Sequence, residues 1–258
     1  MNRIVGGAYA AVEAARSSSR PTALDYISNV FTSFIELHGD RRGGDDPSLV
    51  GGLALLDGCP VTVLAIEKGH TARQRQARNF GSVHPEGYRK ALRLMCQAQK
   101  FARPVVCLVD TAGAGCGLAD EQHGIGQAIA ENLTELAGLS VPVISVIIGE
   151  GGSGGALGLA LADQVWILEG AYYSVISPEG CAQILWKDPA KASEAAACLH
   201  LTARDALDLG VADRIIPETD FGKKPFYDSL REALSEEIQN LRKEPGLSDK
   251  RYARFRRF

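Results

Sequence analysis

Between residues 141 and 162 the chain passes from an apolar run, VPVISVII (141–148), through GEGGSGGALG (149–158), into the helix-like ALGLALA (156–162). Six of the ten residues from Gly149 to Gly158 are glycine. Glycine inside a strand or helix costs about 0.5–1 kcal/mol relative to alanine, so a run this dense must serve close approach of the backbone. Three arrangements would use it: a phosphate cradle, an oxyanion hole of backbone N–H groups, or a tight turn that packs helix on strand. Gly149, Gly151 and Gly154 satisfy GxGxxG, and Glu169 stands twenty residues beyond Gly149, where a dinucleotide site places its ribose-binding acid. That site, however, occupies the first strand–helix turn of its domain, and so glycine-rich a stretch satisfies many glycine patterns. A Walker loop fails because Gly155-Ala156, not lysine, follows Gly154. The oxyanion hole uses the arrangement better. Adjacent glycines at a helix start leave consecutive N–H groups without intrahelical acceptors, and the helix dipole adds partial positive charge. Packing alone would need one or two glycines, hardly six.

The surrounding pattern places this segment. Apolar residues at Leu24, Ile27, Val30, Phe31, Phe34 and Leu37 have helical spacing and predict a helix over 22–37, stopped by Gly39. Two strand-like runs, 49–56 and 61–66, flank Asp57-Gly58, a hairpin signal. A helix from Pro85 to about Ala102, a strand over 105–110 and a helix over about 121–138 follow. Next come the strand 141–148, the glycine segment as a loop, a helix over 153–162 and a strand over 164–168. Strands alternating with helices predict an α/β fold with a mostly parallel sheet. Two strand ends carry glycine-rich segments, 111–117 and 149–155, at the carboxyl edge where such sheets bind ligands. The later chain reads as helices over 178–186, 190–199 and 202–209, with Thr202 as N-cap and Gly210 as stop. A short strand over 212–216 and a helix over about 225–243 complete it. The whole chain, 1–258, reads as one domain with a helical arm over about 1–40 and a helical extension over about 222–258.

Composition excludes several classes. A net charge of −3 gives no global attraction to nucleic acid or anionic membrane. No apolar run approaches the roughly 18–20 residues of a membrane span, and the alanine-rich N-terminal stretch is broken by Glu13, unlike a signal peptide. The six cysteines are never closer than nine residues, so CxxC spacing is absent. Most sit in apolar runs and read as buried thiols of a reducing cytoplasm. The five histidines, His38, His70, His84, His123 and His200, form no HExxH pattern and read as packing or surface residues.

Five stretches carry a resemblance: PTALDYISNVFTSFIELHGDR (21–41), DDPSLVGGLA (45–54), RNFGSVHPEGYRKALRLM (78–95), GEGGSGGALGLALAD (149–163) and YSVISPEGCAQILWKD (173–188). In this order they resemble the carboxyltransferase alpha subunit of bacterial acetyl-CoA carboxylase, in a short form without a longer N-terminal helical arm. LTARDALDLGVADRIIP (201–217) is similar to a segment of crotonase-like proteins. The resemblance implies a crotonase-like (ClpP/crotonase) fold, a spiral of strand–strand–helix units. It implies transfer of a carboxyl group from carboxybiotin, tethered to a biotin carboxyl carrier protein charged by biotin carboxylase, to acetyl-CoA, giving malonyl-CoA for fatty-acid synthesis. The partner would be a zinc-containing beta subunit, in an α2β2 heterotetramer, with no metal on this chain. The implied chemistry uses biotin itself as base, so the protein supplies donors for oxyanions rather than a nucleophile. On this reading Gly154 and Gly155 donate their N–H groups to the ureido oxygen, while Gly151 and Gly152 shape the turn. Gly113, Ala114, Gly115, Cys116, Ser177, Glu179 and Gly180 line the biotin pocket.

The chain departs from the family pattern in DTAGAGCG (110–117), where Gly115-Cys116 replace a tyrosine–proline pair, and at His123-Gly124-Ile125-Gly126, where Arg-Gly-Gln-Gly is usual. Those changes leave room for a copy specialised for another acyl-CoA, or for a scaffold that only orders its partner. A self-sufficient crotonase-type acyl-CoA hydratase or hydrolase would need an acid pair, for which Glu179 with Asp120 or Glu121 are the candidates. Lys68, Arg73, Arg75, Arg78, Arg89, Lys90 and Arg93 make 68–93 basic. Of these Arg73, Arg75 and Arg78, in a loop-like stretch, are candidates to meet coenzyme A phosphates or the carrier. The tail 250–258 is basic and aromatic, and reads as a subunit contact or a frayed end.

Overall fold

The computed structural model describes residues 7–257; the first six residues of the expected arm, and Phe258 of the tail, lie outside that range. Helices α1 (Ala8–Arg16) and α2 (Ala23–Val30) are followed by strand β1 (Thr32–Glu36). The helix expected over 22–37 therefore stops halfway. At Phe31 the backbone becomes extended, with φ −112° and ψ 162°, and the β-branched and aromatic run Thr32–Ile35 pairs antiparallel with β2 (Leu49–Leu56). A Cβ on Gly52 would lie 2.2 Å from the Ile35 carbonyl oxygen. That bare α-carbon is what admits β1, a long-range fact that local spacing does not carry.

Strand β2 turns through Asp57 and Gly58, at φ 46° and 79°, as a two-residue hairpin requires. It pairs in unbroken register with β3 (Cys59–Ile66), from Leu49 opposite Ile66 to Leu56 opposite Cys59. The chain continues through α3 (Ala72–Ala77), α4 (Pro85–Lys100), β4 (Val105–Thr111), α5 (Leu118–Gln122) and α6 (Ile125–Gly138). Gly124, at φ 81°, breaks the single helix expected over 121–138 into α5 and α6. Then come β5 (Val143–Gly152), α7 (Ser153–Ala160), β6 (Gln164–Leu168) and β7 (Tyr172–Ser174), the last not foreseen. Helices α8 (Pro178–Trp186), α9 (Ala192–Leu199) and α10 (Ala203–Asp208), strand β8 (Arg214–Ile216) and helices α11 (Lys224–Leu241) and α12 (Leu247–Phe255) complete the described chain.

The sheet runs β1-β2-β3-β4-β5-β6-β8, with β7 beside the far end of β5. From β3 onward neighbouring strands are parallel. Every residue of β4 and β5 is buried, which explains their near-continuous apolar sequence, since a parallel strand is covered on both faces. Helix α4 presents Tyr88, Ala91, Leu94, Met95 and Ala98 to this core and packs on α6. Only Cys107 and Cys181 of the six thiols are buried; Cys96, Cys116 and Cys198 are exposed and Cys59 is half-buried. None of the described helices is long and apolar enough to cross a membrane.

Two helix-end features follow from sequence. Thr202 caps α10, its hydroxyl accepting from the Asp205 N–H at 3.2 Å while Asp205 reaches back to the Thr202 N–H at 3.1 Å. Thr202→Ala is expected to cost about 1 kcal/mol, read as a lower denaturant midpoint at unchanged slope. Two arginines of the basic tail are tied down within the chain. Arg251 is fully buried, pairs with Asp163 at 2.7 Å and donates to the Leu136, Leu139 and Val141 carbonyls. Arg254 pairs with Asp213 at 2.6 Å.

Candidate functional site

Strands β4 and β5 end side by side, but not in simple register. Val109 lies opposite Ile147, whereas Thr111 lies opposite Gly151, so β5 holds two more residues than β4 over the same span and bulges there. The Asp110 carboxylate lies against the bulge. It accepts the Glu150 N–H at 2.8 Å and lies so close to Gly149 that a Cβ there would be 2.4 Å from Oδ1.

Asp110 is neutralised from β3. Lys68, two residues past that strand, pairs with Asp110 at 2.7 Å and with Glu150 at 3.2 Å. Arg16, the last residue of α1, pairs with Glu150 at 2.8 Å and with Glu179 at 2.7 Å. The Tyr172 hydroxyl donates to Glu150 at 2.8 Å. Burial pushes the Asp110 carboxyl up, and Lys68 only partly offsets this. Burial also opposes the Lys68 charge, but Asp110 and Glu150 outweigh it and raise its pKa. Glu150 is buried too, yet Lys68, Arg16 and Tyr172 hold it below the ordinary carboxylate range. A cavity of about 320 Å³ opens beside this network, lined by Arg16, Arg20, Lys68, Arg75, Asp110 and Glu150 among others.

The glycine segment is not the loop expected. Gly149 to Gly152 continue β5, and the turn into α7 falls at Ser153, whose φ of 53° places local strain at the joint. Packing accounts for five of the six glycines, against the expectation of one or two. A Cβ would meet Asp110 at Gly149, the Tyr172 carbonyl at Gly151, the Ala112 carbonyl at 2.1 Å at Gly152, the Ala114 nitrogen at 2.4 Å at Gly155, and the Tyr88 ring at Gly158. Gly154 is the exception. Nothing lies within 4 Å of its Cβ position, and it is half-buried. Gly154 and Gly155 stand in the first turn of α7, where N–H groups lack intrahelical acceptors. Among the described residues no side chain caps that helix start, and no loop carbonyl accepts from either group.

The two glycine segments meet. Through the Gly152 and Gly155 contacts, residues 112–114 lie directly against the start of α7, which brings Gly113 and Ala114 beside Gly152, Gly154 and Gly155, while Gly151 packs instead against Tyr172 and Tyr173 of β7. Gly115 is buried and Cys116 is exposed. Ser177 is the N-cap of α8, accepting from the Gly180 N–H at 3.1 Å. Glu179 is held by Arg16 and by the Tyr9 hydroxyl at 3.1 Å. Arg16 thus ties the start of α8 to the end of β5. Asp120 is paired with His84. Of the acids a hydratase would need, Glu179 and Asp120 are thus held in separate ion pairs, while Glu121 is exposed.

Most of the basic stretch 68–93 turns inward. Lys90 is buried against Asp45, Arg89 pairs with Asp40 and Glu86, and Arg93 donates to the Gly39 carbonyl. The stretch around Arg73, read as loop, is helix α3, closed by a Thr71–Gln74 capping box. Arg75 donates to the Gly69 carbonyl and Arg78 to the Pro47 carbonyl. Arg73 is exposed and makes no hydrogen bond or ion pair among the described residues. Sequence reasoning missed Arg16, Asp110 and Glu150; the signal was a lone charge at the end of an apolar strand or between glycines.

A mixed sheet, parallel from β3 onward, with glycine-rich backbone at the adjacent ends of β4 and β5 and a helix opening from the second, has the fold of the crotonase-like carboxyltransferases. Solved structures agree in fold. Transcarboxylase 12S, with methylmalonyl-coenzyme A bound, superposes with a TM-score of 0.71 over 92% of this chain and 45% of that one, at 20% identity. A Pseudomonas malonate decarboxylase hetero-tetramer in complex with coenzyme A gives 0.69 over 84% and 91%, at 23% identity. The chain belongs to the acetyl co-enzyme A carboxylase carboxyltransferase-like family, whose model matches residues 7–258. It is 59% identical over 231 residues to the acetyl-coenzyme A carboxylase carboxyl transferase subunit alpha of Ruminiclostridium cellulolyticum, covering 90% of this chain and 89% of that protein. To the same subunit of Streptococcus equi subsp. equi it is 54% identical over 246 residues, covering 95% and 96%.

Proposed function

We propose that the chain is the alpha side of a two-subunit acetyl-CoA carboxylase carboxyltransferase, moving a carboxyl group from carboxybiotin on a carrier protein to acetyl-CoA to give malonyl-CoA. The observation that carries the reading is the first turn of α7, where Gly154 alone among the six glycines faces open space. A flat ureido ring would use that space, because nothing lies within 4 Å of the Gly154 Cβ position. Biotin, when bound, supplies the carboxyl group and the nitrogen that takes the methyl proton. The chain's own part is to bind and orient. Gly154 and Gly155 would donate to the ureido oxygen, worth roughly 2.7–4 kcal/mol per donor as charge gathers. Gly113 and Ala114 would form the adjoining wall, with Gly115 and Cys116 further along. Ser177, Glu179 and Gly180 fix the start of α8, and through Arg16 the end of β5. Arg73 is the candidate contact for a phosphate or the carrier's acidic surface; Arg75 and Arg78 support it from the same short segment.

The beta subunit would bring the zinc site and most of the acetyl-CoA pocket, in an α2β2 assembly served by biotin carboxyl carrier protein and biotin carboxylase in the cytoplasm. Support for a docked partner comes from exposed apolar residues just after β7 and on α8: Val175 at 78%, Ile184 at 62% and Leu185 at 60% accessibility. The test is carboxylation of acetyl-, propionyl- and longer acyl-CoAs by this chain alone, by the beta subunit alone and by the two co-purified. Malonyl-CoA formation is expected only from the pair. Robust carboxylation, or hydration of an enoyl-CoA, by the isolated chain would overturn the proposal. So would a beta subunit as active alone as in the pair.

A further inference from the structure

The segment 113–117 is held at its start by Thr111, whose hydroxyl accepts the Gly113 N–H at 3.0 Å and lies 2.8 Å from the Gly113 carbonyl to which it donates. Gly113 has nothing around its Cβ position, and Cys116 and Gly117 are exposed. Its middle is held from one side by Asp120 of α5. The Gly117 N–H donates to Asp120 Oδ2 at 2.8 Å. Gly115 rests so close to that carboxylate that a Cβ would lie 2.7 Å from Asp120 Cγ. Asp120 is in turn paired with His84 Nδ1. The Gly115 N–H donates to the carbonyl of the neighbouring Val83 at 2.9 Å. Both clamps on the middle of the loop thus run back to residues 83–84, where the chain enters α4, and the His84 backbone N–H is itself fixed by Asp46 at 2.7 Å.

We propose that the His84–Asp120 pair is a brace that positions residues 113–117 against Gly152 and Gly155, and so sets how well this subunit holds biotin. The two are positioning residues, and the inference rests on the function proposed above. The charged groups facing the imidazole are all acidic: Asp120 from α5, Asp46 from the loop before β2, and Glu86 from α4, which is shared with Arg89 and His123. Partial burial disfavours the imidazolium, but these carboxylates outweigh it and raise the His84 pKa. Burial likewise opposes the Asp120 charge, yet His84 and the Gly117 N–H hold its pKa down. The brace is therefore fully charged below the ordinary histidine value of about 6.5. It weakens only as pH rises through the higher folded value.

The test uses the complex with the beta subunit, run in reverse from malonyl-CoA to biocytin as soluble biotin. In the unaltered complex KM for biocytin is expected to rise on the alkaline side of the ordinary histidine range. In His84→Gln it is expected to start about tenfold higher and to lose that pH dependence, while kcat and KM for malonyl-CoA stay within about twofold. In Asp120→Ala, amide hydrogen exchange of the 111–118 peptide is expected to quicken while exchange of β4 and β5 stays slow. Unchanged KM and pH dependence in His84→Gln would overturn the inference. Equal losses in both KM values and kcat, or unchanged loop exchange in Asp120→Ala, would do the same. A complex that transfers nothing to biocytin in its unaltered form sinks the functional reading instead, and the exchange experiment then decides the brace by itself.

Discussion

Gly154→Val is expected to yield a folded, partner-competent chain whose complex turns over about 100- to 1000-fold more slowly. The structural side of this expectation is local. A Cβ at Gly154 meets nothing within 4 Å, and the residue lies outside the left-handed region. Replacing glycine in a helix also removes some backbone entropy cost, so the melting temperature should hold or rise slightly. The functional side depends on what occupies that open space. Valine methyl groups there would keep a ureido oxygen away from the Gly154 and Gly155 N–H groups. Gly155→Ala is the contrasting variant. Its Cβ would stand 2.4 Å from the Ala114 nitrogen, so it should lose stability together with rate. Rates near those of the unaltered complex in Gly154→Val, with intact assembly by gel filtration, would remove the oxyanion role.

The second large effect belongs to the network behind the glycines. Lys68→Met keeps the length of the side chain and removes the charge that pairs with Asp110. Glu150 retains Arg16, but Asp110 is left buried opposite no cation. Breaking a buried pair from one side typically costs about 3–5 kcal/mol, and that is the expected fall in unfolding free energy near neutral pH. The sign of the pH dependence follows from linkage. An unpaired buried Asp110 has a folded pKa above its unfolded value, so the folded state binds more protons between the two. Stability of Lys68→Met should therefore improve as pH falls toward the unfolded carboxylate value of about 3.9 and worsen above it. Lys68→Met with Asp110→Asn should recover most of the loss, because the amide oxygen can still accept the Glu150 N–H. Chemical denaturation of the two single variants and the double variant measures this. Additive losses would mean the pair does not act as a unit.

Much of the fold was legible because its signals are local. The Asp57-Gly58 hairpin, the covered strands β4 to β6 and the Thr202 cap each rest on a few adjacent residues. The mistaken helix over 31–37 has the opposite cause. Phe31, Phe34 and Leu37 continue a helical spacing by coincidence, and the deciding contact is with Gly52, distant in sequence. The same limit governed the site. The glycines at 149–158 mark the joint between β5 and α7, but their number alone says little about chemistry, since five of the six are excluded from having side chains by neighbours in the fold. Only coordinates separate Gly154 from the rest. Glu179 drew attention as an acid beside the site, whereas its partners, Tyr9 and Arg16, come from a helix far away in sequence. The basic run 68–93 looked like a surface feature because charge count does not reveal that Lys68, Arg89 and Lys90 each have a partner waiting.

The clamp on Asp163 has a consequence for how the chain is made. Asp163 emerges from the ribosome 88 residues ahead of Arg251, and three carbonyls of the segment just before it also wait for the same guanidinium. All the strands therefore emerge before the cation that neutralises Asp163, so the docking of α12 is expected to be a late step of folding, checked by slower hydrogen exchange around Asp163 in the full chain than in one cut after α11.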